Sequence, residues 1–494
     1  MKRRKSLITL LSLLVALSLL LAACGGQEPE TAPTNTAAPE PVEEPTEEPE
    51  PTEEPMEEPT EEPTEEPMEE PTEEPTEEPM EEPTEEPVDE EPVAADVSCE
   101  EPVKVGLITD ETGPLAIYGA HILRAFPIGM EYATGAEGTD EGDYTSYMLG
   151  NCEIQVFKRD DQGDAAVAAT VARELIEVEG VDVLVGTVNS GNTATLQELA
   201  RDNQVPLIVA PAAANDITGV NFNEYTFRTS RNNYQDAMNI CEYFTDQYDT
   251  FVQIAPDYAF GHGGAQAFRD ACTQFGGEFV ADDVFAPLET QEFTPYMEQI
   301  LNSGADAFIV TWAGGGFIPM MQAAQDLGVL DEMALAASFI DNVAQPAFFA
   351  NAIGTTSGIL YHYTLPDNEA NDFLVEKAQE RNDTFPDLFD ADAMNAAILL
   401  VEALKATGGD TDPQALIDAM EGMTFQGPKG EIYIRPEDHV AIQDMYIVTL
   451  LNVDDPEFRF YEYVETNRPE PPCLLPEKLQ DRCGDLPVGS LSGE

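Results

Sequence analysis

Two short loops carry the residue types that can grip a small anion. The first, 187–193, reads Thr-Val-Asn-Ser-Gly-Asn-Thr, and the second, 210–214, reads Ala-Pro-Ala-Ala-Ala. Asn189, Ser190 and Thr193 stand where a helix should begin, so their side chains and the free N–H groups of its first turn suit a carboxylate. The same residue types cap any helix start, and from the loops alone both readings stand. Reactive residues are sparse elsewhere. The histidines, His121, His262, His362 and His439, are scattered, and the seven cysteines include no Cys-x-x-Cys pair, so no metal site is expected. Ser190 lacks a Gly-x-Ser-x-Gly elbow, no phosphate loop is present, and Gly261-His262-Gly263-Gly264 is a poor dinucleotide motif. No catalytic residue and no cofactor are expected.

The elements around these loops explain their placement. Residues 183–185 and 207–209 are continuous apolar runs, as parallel strands buried on both faces require, and they flank a helix at 196–203. In such a sheet, ligands bind beyond the carboxyl ends of the strands, where both loops fall. Strands at 103–108 and 154–157 and helices at 119–133 and 165–178 complete four strand-helix repeats, with Pro127 expected to start, kink or break a turn. Residues 134–151, rich in Gly, Asp and Thr, are expected as a surface insertion. Alternation resumes after Phe227-Arg228-Thr229-Ser230-Arg231, with helices at 237–244, 265–275, 294–301 and 318–327 and strands at 251–255, 278–284, 307–311 and 333–336. The expected class is α/β, with two Rossmann-like doubly wound lobes. A short strand at 358–361, helices at 369–381, 391–405 and 413–420, and strands near 431–434 and 445–452 are too few for a third lobe and should wrap back to complete both. Trp312, the one tryptophan, ends the strand 307–311 and so faces either the ligand side or the core.

Composition sets further bounds. The chain has 494 residues, 42% of them apolar, and a net charge of -74, which leaves little basic surface for nucleic acid. About thirty of its 96 acidic residues lie in a run of Pro-Thr-Glu-Glu and Pro-Met-Glu-Glu repeats between residues 27 and 95. Proline in every repeat forbids helix, and almost nothing apolar is left to bury, so a disordered tether is expected, its contour approaching roughly 200 Å. A calcium- or partner-binding acidic tail is the other reading of that stretch. Lys2, Arg3, Arg4 and Lys5 precede an apolar stretch from Leu7 to Leu21, the form of an export signal. Leu21-Ala22-Ala23-Cys24 resembles the lipobox of bacterial lipoproteins, which implies cleavage before Cys24 and acyl chains upon it.

Several segments together resemble the branched-chain-amino-acid class of type I periplasmic binding proteins. They are Val105-Gly106-Leu107, Thr112 to Gly119, Val185-Gly186 with Asn189-Ser190-Gly191, Pro211 to Ala214, Phe227-Arg228-Thr229 and Asp257 to Gly261. The resemblance implies two lobes joined by three crossovers, a ligand in the cleft, closure on binding, and delivery to ABC permease subunits. It implies domains at 1–23 (signal), 24–98 (lipid-anchored linker), 99–228 with about 366–436 (first lobe), 229–365 with about 437–455 (second lobe) and 456–494 (strand and Pro-rich tail). Tyr118 matches a pocket-lining aromatic, Ser190 a serine that holds the ligand carboxylate, and Ala212 a carbonyl that accepts from its ammonium. Asn189, Asp257, Phe260, Trp312 and Asp341 complete the expected ligand set. Two departures weaken the amino-acid reading. Ala214 stands where that class has a threonine, and Asp341 is the only nearby candidate for the acid that meets the ammonium. Trp312-Ala313-Gly314 and Pro428-Lys429-Gly430 look closer to a branch that includes binders of aromatic carboxylates. Arg228 and Arg231 fall at the first crossover and are expected as hinge scaffolding paired to carboxylates rather than as ligand contacts.

Apart from Cys24, six cysteines remain, an even number in an exported chain. In the sheet order of that class the strands after Cys99 and Cys152 are neighbours, and Cys241 and Cys272 lie on consecutive helices, so 99–152 and 241–272 are the expected bridges. Elimination leaves 473–483. The expected function is an extracytoplasmic solute-binding protein of an ABC importer, taking a small hydrophobic carboxylate. The alternative is a sensor lobe that presents its ligand to a signalling partner.

Overall fold

The computed structural model describes residues 97–489 except Phe339 and Asn351. The expected signal, Cys24 and the acidic repeats lie outside those residues. The first lobe opens with β1 (Val103–Thr109), α1 (Ala116–Thr134), β2 (Thr139–Asp140), β3 (Thr145–Leu149) and β4 (Cys152–Asp160). It continues through α2 (Ala165–Glu174), β5 (Val183–Val185), α3 (Ser190–Asn203), β6 (Leu207–Val209) and β7 (Thr226–Arg228). The seven strands make one sheet in the order β2-β3-β4-β1-β5-β6-β7, parallel from β4 to β7. Every residue of β5 and β6 is buried, as their unbroken apolar runs demand in a sheet covered on both faces.

The second lobe contains α4 (Asn233–Thr245), β8 (Thr250–Pro256), α5 (Ala259–Gln274), β9 (Glu278–Phe279), β10 (Val284–Ala286), α6 (Thr294–Ser303), β11 (Ala307–Val310), α7 (Phe317–Asp326) and β12 (Ala334–Ala337). Its parallel sheet runs β10-β8-β11-β12, with β9 beside the start of β8. After β13 (Thr356–Ile359) come α8 (Glu369–Asn382), α9 (Asp390–Thr407) and α10 (Pro413–Met420). Then follow β14 (Thr424–Gly427), β15 (Gly430–Ile434), β16 (Ala441–Ile442), β17 (Met445–Leu450) and β18 (Tyr461–Asn467). Two small antiparallel sheets, β13-β17-β18 and β14-β15-β16, finish the molecule. α9, buried along almost all of its length, lies against α1 in the first lobe. The chain passes between lobes three times: from β7 to α4, from β13 to α8, and from β16 to β17.

Several local expectations need correction. Residues 134–151 are not a loose insertion: β2 and β3 add antiparallel to β4 and extend the sheet, with Tyr147 and Leu149 buried. α1 continues through Pro127 for 19 residues. The second helix ends its α geometry at Glu174 and finishes as a π turn from Leu175 to Glu179. The strand expected at 278–284 divides into β9 and β10, which pair with opposite ends of β8. β16 pairs with β15, so the third crossing falls after Ile442, later than residue 436.

Disulfides join Cys99 to Cys152, Cys241 to Cys272 and Cys473 to Cys483. The first ties the segment ahead of β1 to β4, and the second ties α4 to α5.

Candidate ligand-binding cleft

The cleft holds a cavity of about 90 Å³, several times the roughly 10–15 Å³ that one water needs. Leu115, Tyr118, Val188, Ser190 and residues 211–213 form its first-lobe wall, beyond the carboxyl ends of β1, β5 and β6. Tyr258, Phe260 and residues 310–313 form the opposite wall, at and beyond the carboxyl ends of β8 and β11. Leu388 and Phe389, just ahead of α9, and Arg231 and Asp236, at the first crossing, close the remaining sides. One local device recurs in both lobes. A Cβ at Gly119 would lie 1.7 Å from the Asp110 carbonyl oxygen, and one at Gly261 would lie 1.8 Å from that of Pro256. Only glycine lets the first turn of α1 and of α5 press so closely on a strand end, and the aromatic one residue earlier, Tyr118 or Phe260, lines the cleft.

Acidic residues hold the first-lobe loops in place. Asp110 accepts from the backbone N–H groups of Gly113 and Leu115, Asp160 accepts from that of Glu111 at 2.9 Å, and Asp161 accepts from the Thr187 hydroxyl at 2.6 Å. These bonds fix the loops that carry Leu115, Tyr118 and Ser190. Asn189 caps α3, its side chain accepting from Gly191 N at 2.8 Å and Asn192 N at 3.2 Å. Ser190 follows in the first turn, and its Oγ accepts from Ala214 N at 3.3 Å, which leaves its own proton to donate.

The arginines of the first crossing do different work. Arg228 is fully buried and donates through Nη1 to the carbonyls of Ala212 at 2.9 Å and Arg231 at 3.2 Å, and through Nη2 to that of Ala214 at 2.6 Å. Burial pushes its guanidinium down to about 9. Arg231 pairs through Nε with Asp236 at 3.2 Å, donates through Nη1 to the Pro211 carbonyl at 3.1 Å, and sits 5.4 Å over the Phe389 ring. The scaffolding role expected of Arg228 is met by carbonyls rather than carboxylates, and Arg231, expected to stand apart from the ligand, lines the cavity. Burial raises the Asp236 carboxyl although Arg231 opposes the shift.

Aromatic rings enclose the space between. Tyr118 meets Phe389 edge-on at 5.1 Å, and Trp312 meets Phe293 edge-on at 5.2 Å. Burial pushes the Tyr118 hydroxyl up to about 12, and that of Tyr258 higher still. Tyr118 Oη accepts from Gly314 N at 3.3 Å and so bridges the lobes. Asn215 donates to the Gly263 carbonyl at 3.1 Å, and Asn342 donates through its backbone N–H to Asp387 at 2.8 Å, so the lobes are closed on one another.

Of the expected ligand set, Tyr118, Ser190, Ala212, Phe260 and Trp312 come together in this cavity. Asn189, Asp257 and Asp341 do not line it. Asn189 is spent on its cap, and Asp257 is an exposed partner of His262 at 2.8 Å. Asp341 accepts from Ala344 N at 3.0 Å and shapes the turn after β12. Arg231, Asp236, Tyr258 and Phe389 were not in that set. For Arg231 and Asp236 a local signal existed, since Asn232 and Gln235 form a capping box that fixes the start of α4 between them. Phe389 reaches the site from more than 150 residues beyond Arg231, and no local pattern marks it.

Two α/β lobes closed on an aromatic-lined cavity, with three crossings between them, define the architecture of a type I periplasmic binding protein. The periplasmic binding protein family matches residues 102–454, and the chain belongs to it. The Leu/Ile/Val-binding protein homolog 6 of Brucella melitensis is 28% identical over 375 residues, 74% of this chain and 91% of the relative. An ABC-type branched-chain amino acid transporter from Rhodopseudomonas palustris is 32% identical, with a TM-score of 0.63, covering 74% of this chain and 96% of the other. A solute-binding protein of an ABC transporter from Rhodopseudomonas palustris, solved with 3,4-dihydroxybenzoic acid, is 26% identical with a TM-score of 0.65 over 75% of this chain and 98% of the other. Among the described residues no helix is long and apolar enough to cross a membrane.

Proposed function

We propose that the chain is the extracytoplasmic solute-binding component of an ABC importer, anchored by lipid on Cys24, and that it takes a small hydrophobic carboxylate between its lobes. The observation that carries this reading is the cavity itself, with Ser190 at the amino end of α3 on one wall and Phe260 and Trp312 on the other. Ser190 supplies a hydroxyl proton and the helix end its partial positive charge, while the rings cover an apolar body. The relatives support the class. One is a branched-chain amino acid transporter protein and another was solved with a dihydroxybenzoic acid.

The test is mass spectrometry of the small molecules released when the purified protein is unfolded, followed by thermal shifts with the molecules found, since a ligand of the folded state alone raises stability with concentration. Ser190→Ala and Trp312→Ala should each weaken the recovered ligand by about tenfold with both lobes still folded. Unchanged affinity in both variants would remove this cavity as the binding site.

A further inference from the structure

We propose that Arg231 is the anion anchor of the cavity, and that the ligand is a hydrophobic monocarboxylate carrying no ammonium group beside its carboxylate. The inference rests on the cleft being the binding site and narrows what enters it. The backbone that an ammonium would need is already occupied. The carbonyl of Pro211 accepts from Arg231 Nη1 at 3.1 Å, and that of Ala213 accepts from Asn233 N at 3.0 Å. The Ala214 carbonyl accepts from Arg228 Nη2 at 2.6 Å. Ala212 accepts twice, from Arg228 Nη1 at 2.9 Å and from Ser230 Oγ at 3.0 Å, which uses both lone pairs of its oxygen. Ala214 offers no side-chain oxygen, and Asp341 is turned to its own loop. An ammonium placed against this loop would find its carbonyls already engaged.

The charge behind the wall points the same way. Arg228, Arg231 and Lys429 face one another across the buried crossing, with Asp236 and Asp392 among them. The other two carboxylates that they feel, Asp438 and Asp444, have arginines of their own in Arg435 and Arg468. Of these cations, Arg231 is the one that lines the cavity, where an entering carboxylate would meet it. Asp236, the carboxylate of the cavity wall, is held by Arg231. Among the described residues Arg231 Nη2 has no hydrogen-bond partner while Nε and Nη1 are engaged, and the side chain is only 7% exposed. A guanidinium held through Nε and Nη1, 5.4 Å from the Phe389 ring centroid and with Nη2 left to donate, suits a carboxylate whose apolar part lies among Tyr118, Tyr258, Phe260 and Trp312.

The experiment uses the full chain and two matched pairs of probes that differ only in the ammonium: 4-methylpentanoate against L-leucine, and 3-phenylpropanoate against L-phenylalanine. Binding is measured by calorimetry on wild type, Arg231→Lys, and the double variant Arg231→Gln/Asp236→Asn, which keeps the buried pair neutral if Arg231→Gln alone unfolds. At least one acid should bind more than about tenfold tighter than its amino acid, and the double variant should lose about 30-fold or more for that acid. Arg231→Lys should fall between, because an ammonium cannot present the same planar edge. Amino acids binding as well as the acids, or acids binding the double variant unchanged, would overturn the proposal. Should no probe bind, while a solute recovered from the protein is lost in Trp312→Ala, the ligand class is wrong and the cleft remains the site. If Trp312→Ala also keeps that solute, the cleft reading fails first.

Discussion

Arg228 and Arg231 stand three residues apart on the same crossing and end in opposite conditions. Arg228 faces inward, where three carbonyls of the loops around it take its two terminal nitrogens. Arg231 faces the cavity with one terminal nitrogen engaged and one open. The difference teaches how one short segment builds both a hinge and a site. Arg228 ties the loop after β6 to the crossing and thereby presents residues 211–213 as a wall, and Arg231 extends from that wall. Arg228 is met by carbonyl oxygens alone, whereas Arg231 has the Asp236 carboxylate beside it and Nη2 left to donate.

The largest expected effect tests this division directly. Arg228→Ala strips donors from the buried carbonyls of Ala212, Ala214 and Arg231 and should cost about 3 kcal/mol or more in urea unfolding. Arg231→Lys should cost clearly less, because Asp236 keeps a cation beside it and the open edge has no protein bond to lose. Equal losses from the two substitutions would mean that both arginines are scaffolding and would erase the comparison.

Next in size is a contrast in pH response between the two ends of the cleft. At the closing end, burial and the nearby Asp341 push the Asp387 carboxyl up to about 8, although Asn342 N and Leu388 N donate to it. A carboxyl raised in the folded state contributes stability that is fully present below its unfolded value near 3.9 and is lost as pH rises through about 8. At the hinge end, the hydrogen bond from His439, with Arg482 also donating, holds Glu421 down at about 2. Its contribution is present above roughly 4.3 and is lost as pH falls toward about 2. Asp387→Asn should therefore flatten the fall in melting temperature between pH 5 and 9, by a few degrees at the alkaline end, while Glu421→Gln should change only the acid limb. Parallel curves for wild type and Asp387→Asn across that range would show that this carboxyl does not titrate there.

How much of this was legible in the sequence follows from how local each feature is. The unbroken apolar runs of β5 and β6, the caps around Asn189 and the small residues after β6 are local, and so were the loops that the lobe presents to the cleft. The aromatic-glycine pairs Tyr118-Gly119 and Phe260-Gly261 were readable as motifs, though not as the steric device that the strand-end carbonyls reveal. The hairpin at 139–149 is hidden because Gly, Asp and Thr signal a loop, whereas the buried Tyr147 and Leu149 find their partners only when β4 lies beside them. Asp341 looked like a ligand because it is an acid near a strand end, and its actual work, organising the turn beside Asn342, depends on Asp387 of the other lobe. Nothing in the run Arg228-Thr229-Ser230-Arg231 says which arginine points inward. That choice is made by the carbonyls of residues 211–214, a strand away.

The smallest expected effect isolates closure from contact with the ligand. Tyr118 lines the cavity by its ring and bridges the lobes by its hydroxyl, which accepts from Gly314 N at 3.3 Å. Tyr118→Phe keeps the ring and its edge-on packing against Phe389 and removes only the bridge. At about 0.5–1.5 kcal/mol for one ordinary hydrogen bond, affinity should fall roughly 2- to 10-fold with the unfolding midpoint nearly unchanged. Asn215→Ala removes another bridge, to the Gly263 carbonyl, together with the bond that its Oδ1 accepts from Tyr234 N at 3.2 Å, from a residue outside the cavity lining, so any loss it causes acts without contact with the ligand. Equal small losses in the two variants, seen mainly as faster dissociation in stopped-flow measurements, would make both bridges latches of the closed form. A loss confined to Tyr118→Phe would instead place the phenol hydroxyl among the groups that the bound molecule touches.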